Sequence, residues 1–315
     1  MIFHINGYGP RWYGLSYVAA ALCGFWLYRH LARRGYTDIP PQKVADLITW
    51  VGLFGVLLGG RIGWIIFYGR YAQHAPDDYW WWIRVDQGGM ASHGGILGIV
   101  IVTFILSRRW KVSWTGIGDS LAVVATVGIF LVRCANFTNG ELYGHETKMP
   151  WGVQFASEVR DNPALVAQIL PPGAIPDSEN YDPRADAERL IVEARTNPAL
   201  AAKFKEVLPV RHPSQLYEGL LEGLLLFAIL WTVRTRCRVP RGVTTGLFFV
   251  LYATARITGE VYRIPDPAWS VGKLSAGQYL SLYMYLVGAV FIAWGLWRRE
   301  YEQADRLKMA AQPTP

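Results

Sequence analysis

Seven stretches of the chain are almost free of charge and long enough to matter. They run over residues 13–28, 45–68, 94–106, 113–132, 215–233, 243–262 and 278–297. Runs that approach about 20 apolar residues match the thickness of a bilayer core. Lipid leaves no water to satisfy backbone N–H and C=O groups, so such runs must be helices. The pattern therefore predicts an all-α, polytopic membrane protein with seven transmembrane helices.

The polar intervals sharpen this. Basic residues cluster after the first run (Arg29, Arg33, Arg34, Lys43), the third (Arg108, Arg109, Lys111), the fifth (Arg234, Arg236, Arg238, Arg241) and the seventh (Arg298, Arg299, Arg306, Lys308). With seven spans, all four clusters fall on one side. Cytoplasmic loops carry the excess of Lys and Arg, which predicts an outside N-terminus and a cytoplasmic C-terminus. The expected organisation is spans one to four over 1–144, an extracytoplasmic head over 145–210, spans five to seven over 211–300 and a cytoplasmic tail over 301–315. Inside the first block, residues 69–90 with Trp80, Trp81 and Trp82 suit an arm at head-group depth, where tryptophan is enriched. The head carries short helical patterns over 163–169 and 183–195. Residues 310–315 are expected to be disordered.

Composition agrees. The chain of 315 residues is 52% hydrophobic and only 17% charged, against about 25% charged in soluble domains. Its mean hydropathy, +0.16, is diluted by the polar segment around 161–205. A net charge of +7 could suggest nucleic acid, but the cations sit in short loops and no nucleic-acid motif is present. Attraction to anionic lipid head groups is the other use for them. Cys23, Cys134 and Cys237 have no metal-ligand spacing and form no disulfide framework. Ala20-Ala21-Leu22-Cys23 loosely resembles a lipoprotein cleavage box. However, Leu22 is not small, and the arginines follow the run instead of preceding it, so it reads as a first span.

A charge inside a span costs roughly 2.5–3.5 kcal/mol on insertion scales, so such charges should be few, paired and functional. Arg61 sits in Gly59-Gly60-Arg61-Ile62-Gly63, Asp119 early in span four and Arg133 at its end. Arg256 and Glu260 lie one turn apart in span six, and Glu218 and Glu222 repeat that spacing in span five. Buried ion pairs that merely hold a bundle together are the plain alternative. For Arg61, Asp119 and Glu222 both readings stay open. Arg133 and Arg256 stand in denser polar surroundings. The stretch from Arg133 to Gly144 gathers a cation, the amides of Asn136 and Asn139 and the carboxylate of Glu141, more than a helix cap requires. Arginine suits phosphate, because its planar fork bonds two oxygens at once. His93, beside Gly94 and Gly95, opens span three at the membrane rim.

Several motifs occur in one order. They are Arg11-Trp12-Tyr13-Gly14, Leu58 through Gly63, His93-Gly94-Gly95, Arg133 through Gly144, Arg211-His212-Pro213-Ser214-Gln215-Leu216-Tyr217-Glu218, Tyr252 through Asp266, and Ser275-Ala276-Gly277-Gln278. Together they closely resemble the prolipoprotein diacylglyceryl transferase family over nearly every span, with the head least similar. The family's fourth-span motif reads Gly-Arg-x-Gly-Asn-Phe; here Val132 and Ala135 replace its glycines. The resemblance implies an enzyme of the bacterial inner membrane, acting toward the outer leaflet. It would move the diacylglyceryl group of phosphatidylglycerol to the lipobox cysteine of a prolipoprotein signal peptide, releasing glycerol phosphate and using no cofactor or metal. On that footing Arg133 and Arg256 clamp the phosphate, Glu141 and Glu260 orient them, and His93 is the candidate base. Tyr13, Asn136 and Tyr252 position head group or peptide, and Asn139, Gly144 and Arg61 complete the binding set. The alternatives are an inactive paralogue that binds lipid or lipoprotein and a phospholipid transporter, although no inverted repeat is visible.

Overall fold

The computed structural model describes residues 12–69, 80–83, 88–170, 183–264, 270–271 and 274–310. Twelve helices are described: α1 (Trp12–Arg33), α2 (Pro41–Tyr68), α3 (Ser92–Trp110), α4 (Trp114–Asn139), α5 (Glu158–Asp161), α6 (Pro163–Ile169), α7 (Pro183–Glu193), α8 (Pro198–Val207), α9 (Ser214–Arg236), α10 (Val243–Glu260), α11 (Ala276–Arg298) and α12 (Gln303–Ala310). The only strands among the described residues are an antiparallel pair of two residues each, Ser270–Val271 with Leu274–Ser275.

Each of the seven apolar runs falls on a helix. Among the described residues, four helical segments are long and apolar enough to cross a membrane: α2, α4, α9 and Gln278–Arg298 of α11. Helices α1, α3 and α10 have 22, 19 and 18 residues. Large apolar side chains face outward, including Trp297 (73% exposed) and Ile66 (70% exposed). An apolar surface of this kind is stable against hydrocarbon and costly against water. The expected arm over 69–90 is described only in part, with Trp81–Ile83 forming one tight turn. Arg11 and residues 70–79, 84–87 and 311–315 lie outside the described residues.

Two compact units can be separated. The first comprises Met1–Tyr17, Ile129–Leu224 and Tyr252–Tyr283. Within it, helices α5 to α8 enclose a small core of Val159, Leu165, Val166, Ala187, Leu190 and Phe204. Two Asn-Pro pairs start helices here. The Asn162 side chain accepts from Ala164 N at 3.2 Å, and Asn197 accepts from Ala199 N at 3.1 Å. The amide oxygen supplies the first-turn cap, and the proline following it needs no N–H partner. Helix α8 has no counterpart in the two short patterns expected for this segment.

The second unit comprises Val18–Gly128, Leu225–Leu251 and Met284–Pro315, with a core around Tyr28, Leu31, Leu47, Leu106, Ile117 and Val124. Helices α2 and α3 pack through glycine. A methyl group on Gly94 would sit 2.3 Å from Gly59 O, and one on Gly98 would sit 2.3 Å from Gly55 O. Small residues at such spacing let backbones approach where lipid gives no hydrophobic drive. Asp119, fully buried, accepts from Gly242 N, Thr245 N and Thr245 Oγ1, each at 2.8 Å. It caps the start of α10 from another helix, which is a structural role. The segment expected as a tail opens with docked structure. Glu302 and Asp305 are fully buried. Glu302 accepts from Arg241 at 2.9 Å and lies 3.7 Å from Arg234, while Asp305 lies 3.8 Å from Arg234.

Candidate functional site

Charged groups converge in the first unit. Arg133 lies near the end of α4. Glu218 and Glu222 lie on α9, where its turns widen to the π form over Gly219–Leu225. Arg256 and Glu260 lie one turn apart on α10. Glycines let these helices close. A methyl on Gly223 would sit 2.6 Å from Phe130 Cβ, one on Gly219 3.2 Å from Arg133 Cβ, and one on Gly259 3.1 Å from Glu218 Cγ.

Arg133 Nη1 lies 2.9 Å from Glu218 Oε2, and its Nη2 donates to Glu222 Oε2 at 2.9 Å. Arg256 Nη1 donates to Glu218 Oε1 at 2.5 Å, and its Nη2 lies 2.8 Å from Glu260 Oε2. Arg263 Nη1 lies 3.7 Å from Glu218 Oε1. Three arginines thus face three carboxylates. Glu218 and Glu222 are fully buried, whereas the Arg133 and Arg256 side chains each keep 13% exposure. A buried charge is tolerable when it is paired and hydrogen-bonded. Each guanidinium has five N–H donors. Arg133 directs its Nε, one Nη1 and one Nη2 donor at glutamates, so it retains donors for an incoming anion. Tyr252, half-buried on α10, has Glu222, Arg133, Arg256 and Glu218 as electrostatic neighbours.

A second chain of contacts joins α1 to the end of α4. Asn136 Nδ2 donates to Tyr13 Oη, which donates to Glu141 Oε2. Gly140, at φ +69°, ends α4 in the left-handed turn that glycine adopts without penalty. Glu141 N then donates to Asn136 O at 3.0 Å. The Ser214-Gln215 start of α9 fixes this turn: Gln215 Nε2 donates to Glu141 O at 2.6 Å and Ser214 Oγ to Leu142 O at 2.8 Å. Gly144 lies at a crossing of three chain segments, where a methyl would meet Tyr262 O at 2.3 Å and His212 Cβ at 2.8 Å. Asn139 closes α4 and is half-buried. Beyond the turn, Arg211 grips Glu158 with Nε 2.9 Å from Oε2, and its guanidinium lies 5.4 Å from the Tyr143 ring centre. Burial, reinforced by Glu158 and Asp161, holds the Tyr143 hydroxyl well above its usual pKa.

The two remaining candidates belong to the second unit. His93 is the second residue of α3, exposed, and borders an almost wholly apolar groove of about 440 Å³ lined also by Leu58, Ile62, Leu97 and Ile101. Arg61, 7% exposed, donates to four backbone carbonyls: Trp82 O at 2.7 Å, Trp81 O at 2.5 Å, and Gly88 O and Gly89 O at 2.9 Å each. Its guanidinium also lies 4.7 Å from the Trp64 ring centre. Those donors staple the tryptophan arm to α2.

The pairing inside the first unit differs in detail from the sequence expectation. Glu260 does meet Arg256. The carboxylates that meet Arg133 are Glu218 and Glu222, while Glu141 takes the Tyr13 hydroxyl. The i, i+4 pair of glutamates within an apolar run was the available signal for this role.

A family model described as prolipoprotein diacylglyceryl transferase matches residues 1–294. The chain belongs to the prolipoprotein diacylglyceryl transferase family. Relatives named phosphatidylglycerol–prolipoprotein diacylglyceryl transferase are similar along their length. The one from Bdellovibrio bacteriovorus is 34% identical over 93% of this chain and 90% of its own. That from Nitratidesulfovibrio vulgaris is 35% identical over 88% and 86%, and that from Escherichia fergusonii 36% identical over 96% and 94%. The family match spans every residue of the arginine–glutamate cluster and of the Asn136–Tyr13–Glu141 chain.

Proposed function

We propose that this membrane protein transfers the diacylglyceryl group of phosphatidylglycerol to the lipobox cysteine of a prolipoprotein. The observation that carries the reading is the pairing of Arg133 and Arg256 on shared, buried carboxylates within a chain of this family. The cysteine loses its proton, and its sulfur forms a bond to the glyceryl carbon. The bond from that carbon to the phosphate oxygen breaks, and the electron pair leaves on glycerol phosphate. No redox change occurs, so the step balances without a cofactor. The growing charge on the phosphate calls for fixed cationic donors in a dry site. Arg133 and Arg256 supply them, with Glu218, Glu222 and Glu260 holding both guanidiniums in place. His93 accepts the thiol proton. Tyr13, Asn136, Asn139, Tyr252 and Glu141 shape the pocket for head group and peptide, and Gly144 lets the surrounding segments close. Arg61 completes the binding set by holding the tryptophan arm in place.

The same reading has seven spans, N-terminus outside and C-terminus in the cytoplasm, with the reaction toward the outer leaflet of the bacterial inner membrane. The alternation of basic clusters supports it, because the clusters follow the first, third, fifth and seventh runs and so share one side when all seven cross. The test is release of glycerol phosphate from phosphatidylglycerol on addition of a lipobox peptide. Arg133→Ala and Arg256→Ala should each abolish transfer in protein that still folds. Full activity in Arg256→Ala would sink the clamp, and unchanged turnover of His93→Asn at neutral pH would remove the base.

A further inference from the structure

A second lipid-compatible feature lies in the unit that lacks the arginine–glutamate cluster. Helices α2 and α3 frame a groove of about 350 Å³. Its walls are apolar, with Trp50, Phe54 and Leu106 among them, and its rim carries Asp46, Arg109 and Trp110. Trp50 stacks on Phe54 with ring centres 4.8 Å apart. Lys43 Nζ lies 5.4 Å from the Trp110 ring centre, at the same rim. Lys43 and Arg109 are exposed. Neither has a carboxylate partner among the described residues.

We infer that this groove is a binding site for one anionic glycerophospholipid, with an acyl chain along the apolar wall and the phosphate against Arg109 and Lys43. Three features point to that occupant. Among the described residues, the rim sets Lys43 and Arg109 against the single carboxylate of Asp46, which pairs with neither, so positive charge is left over for a phosphodiester. Basic pockets between spans are a known form of anionic lipid recognition, and the two tryptophans at this groove, Trp50 and Trp110, suit the depth where head group meets hydrocarbon. The eleven steps from Lys43 to Phe54 cover about 16 Å of helix, which is about half of a hydrocarbon core and so the reach of one leaflet. A zwitterionic lipid would fill the same wall but bring its own cation to the rim. Asp46 works against the anion and makes its charge testable. The inference rests on the membrane reading and not on the transfer reaction.

The test uses delipidated full-length protein in detergent, dioleoylphosphatidylserine or dioleoylphosphatidylcholine as probe, and native mass spectrometry as readout. The two lipids share chains and differ in head-group charge. The wild type should retain the serine lipid in preference. The double variant Lys43→Gln, Arg109→Gln should lose about twenty-five-fold in that preference, at about five-fold per cation. Asp46→Asn should strengthen the preference, which a fold lost by mutation would not do. Transferase turnover, read on the same samples, should be unchanged and reports separately on the reaction. The site is refuted if the wild type shows no preference, or if the double variant keeps it. It is also refuted if the preference disappears in Arg133→Gln alone, which would assign all anionic retention to the arginine–glutamate cluster.

Discussion

Glu218 is the carboxylate on which the reaction cluster turns, and Glu218→Gln is the sharpest perturbation of it. The side chain is fully buried and contacts Arg133 at 2.9 Å, Arg256 at 2.5 Å and Arg263 at 3.7 Å. The amide keeps the shape and removes the charge, leaving three guanidiniums against Glu222 and Glu260. Removing one partner from a buried ion pair costs roughly 3–5 kcal/mol, because a charge stays in the interior without compensation. Glu222 still holds Arg133 at 2.9 Å and Glu260 still holds Arg256 at 2.8 Å, so the loss belongs at the lower end, about 3 kcal/mol. The consequence for turnover is geometric. With their common anchor gone, the arginines repel and shift apart, and a misplacement of about 1 Å costs on the order of 10²-fold in rate. The cluster also gains a net positive charge, so affinity for the anionic lipid should not fall. The expected signature in a glycerol phosphate release assay is a kcat lower by about 10²-fold with KM for phosphatidylglycerol unchanged or lower. Glu218→Asp, which keeps the charge on a shorter arm, should recover part of the rate. A role confined to folding would lower the amount of active protein and leave the KM of the remainder unchanged in every variant, with no recovery in Glu218→Asp at equal folded protein. Wild-type kcat in Glu218→Gln would refute the reasoning outright.

Two further outcomes follow from the second unit. Arg61→Lys should loosen the tryptophan arm, since one ammonium cannot reach four carbonyls spread from Trp81 to Gly89; hydrogen bonds to a charged group contribute about 1.5–3 kcal/mol each, and faster proteolysis between Tyr68 and Met90 is the readout, with an unchanged rate refuting the staple. Burial pushes the Glu302 carboxyl up to about 7 from an ordinary 4.5, with Arg241 opposing the shift. The folded chain then holds more protons than the unfolded chain between those values, so this contribution is full below about pH 4.5 and is lost as pH rises through about 7. Hydrogen exchange of Gln303–Ala310 should quicken over that interval beyond the intrinsic rate, and Glu302→Gln should flatten the change.

Much of the fold was legible in the chain because lipid imposes a local rule. Every backbone group in hydrocarbon must be satisfied within its own segment, so an apolar run of sufficient length reads directly as a helix. Helix starts at Asn162-Pro163 and Asn197-Pro198 are equally local, since cap and proline lie next to the turn they serve. The arginines at 133 and 256 stood out for the same reason: a charge within an apolar run is costly whatever surrounds it. The pairing was not local. Arg133 meets Glu222, 89 residues away, because glycines at 219 and 223 let α9 approach α4. Glu141, only eight residues from Arg133, instead follows a left-handed turn at Gly140 to the Tyr13 hydroxyl. Arg61, read as a possible ligand for lipid, is held by carbonyls from a segment some twenty residues on. Residue type and spacing determined which charges had to be neutralised. Which group neutralises each one depended on helix approach and turn geometry, and those are set by packing among segments far apart in the chain.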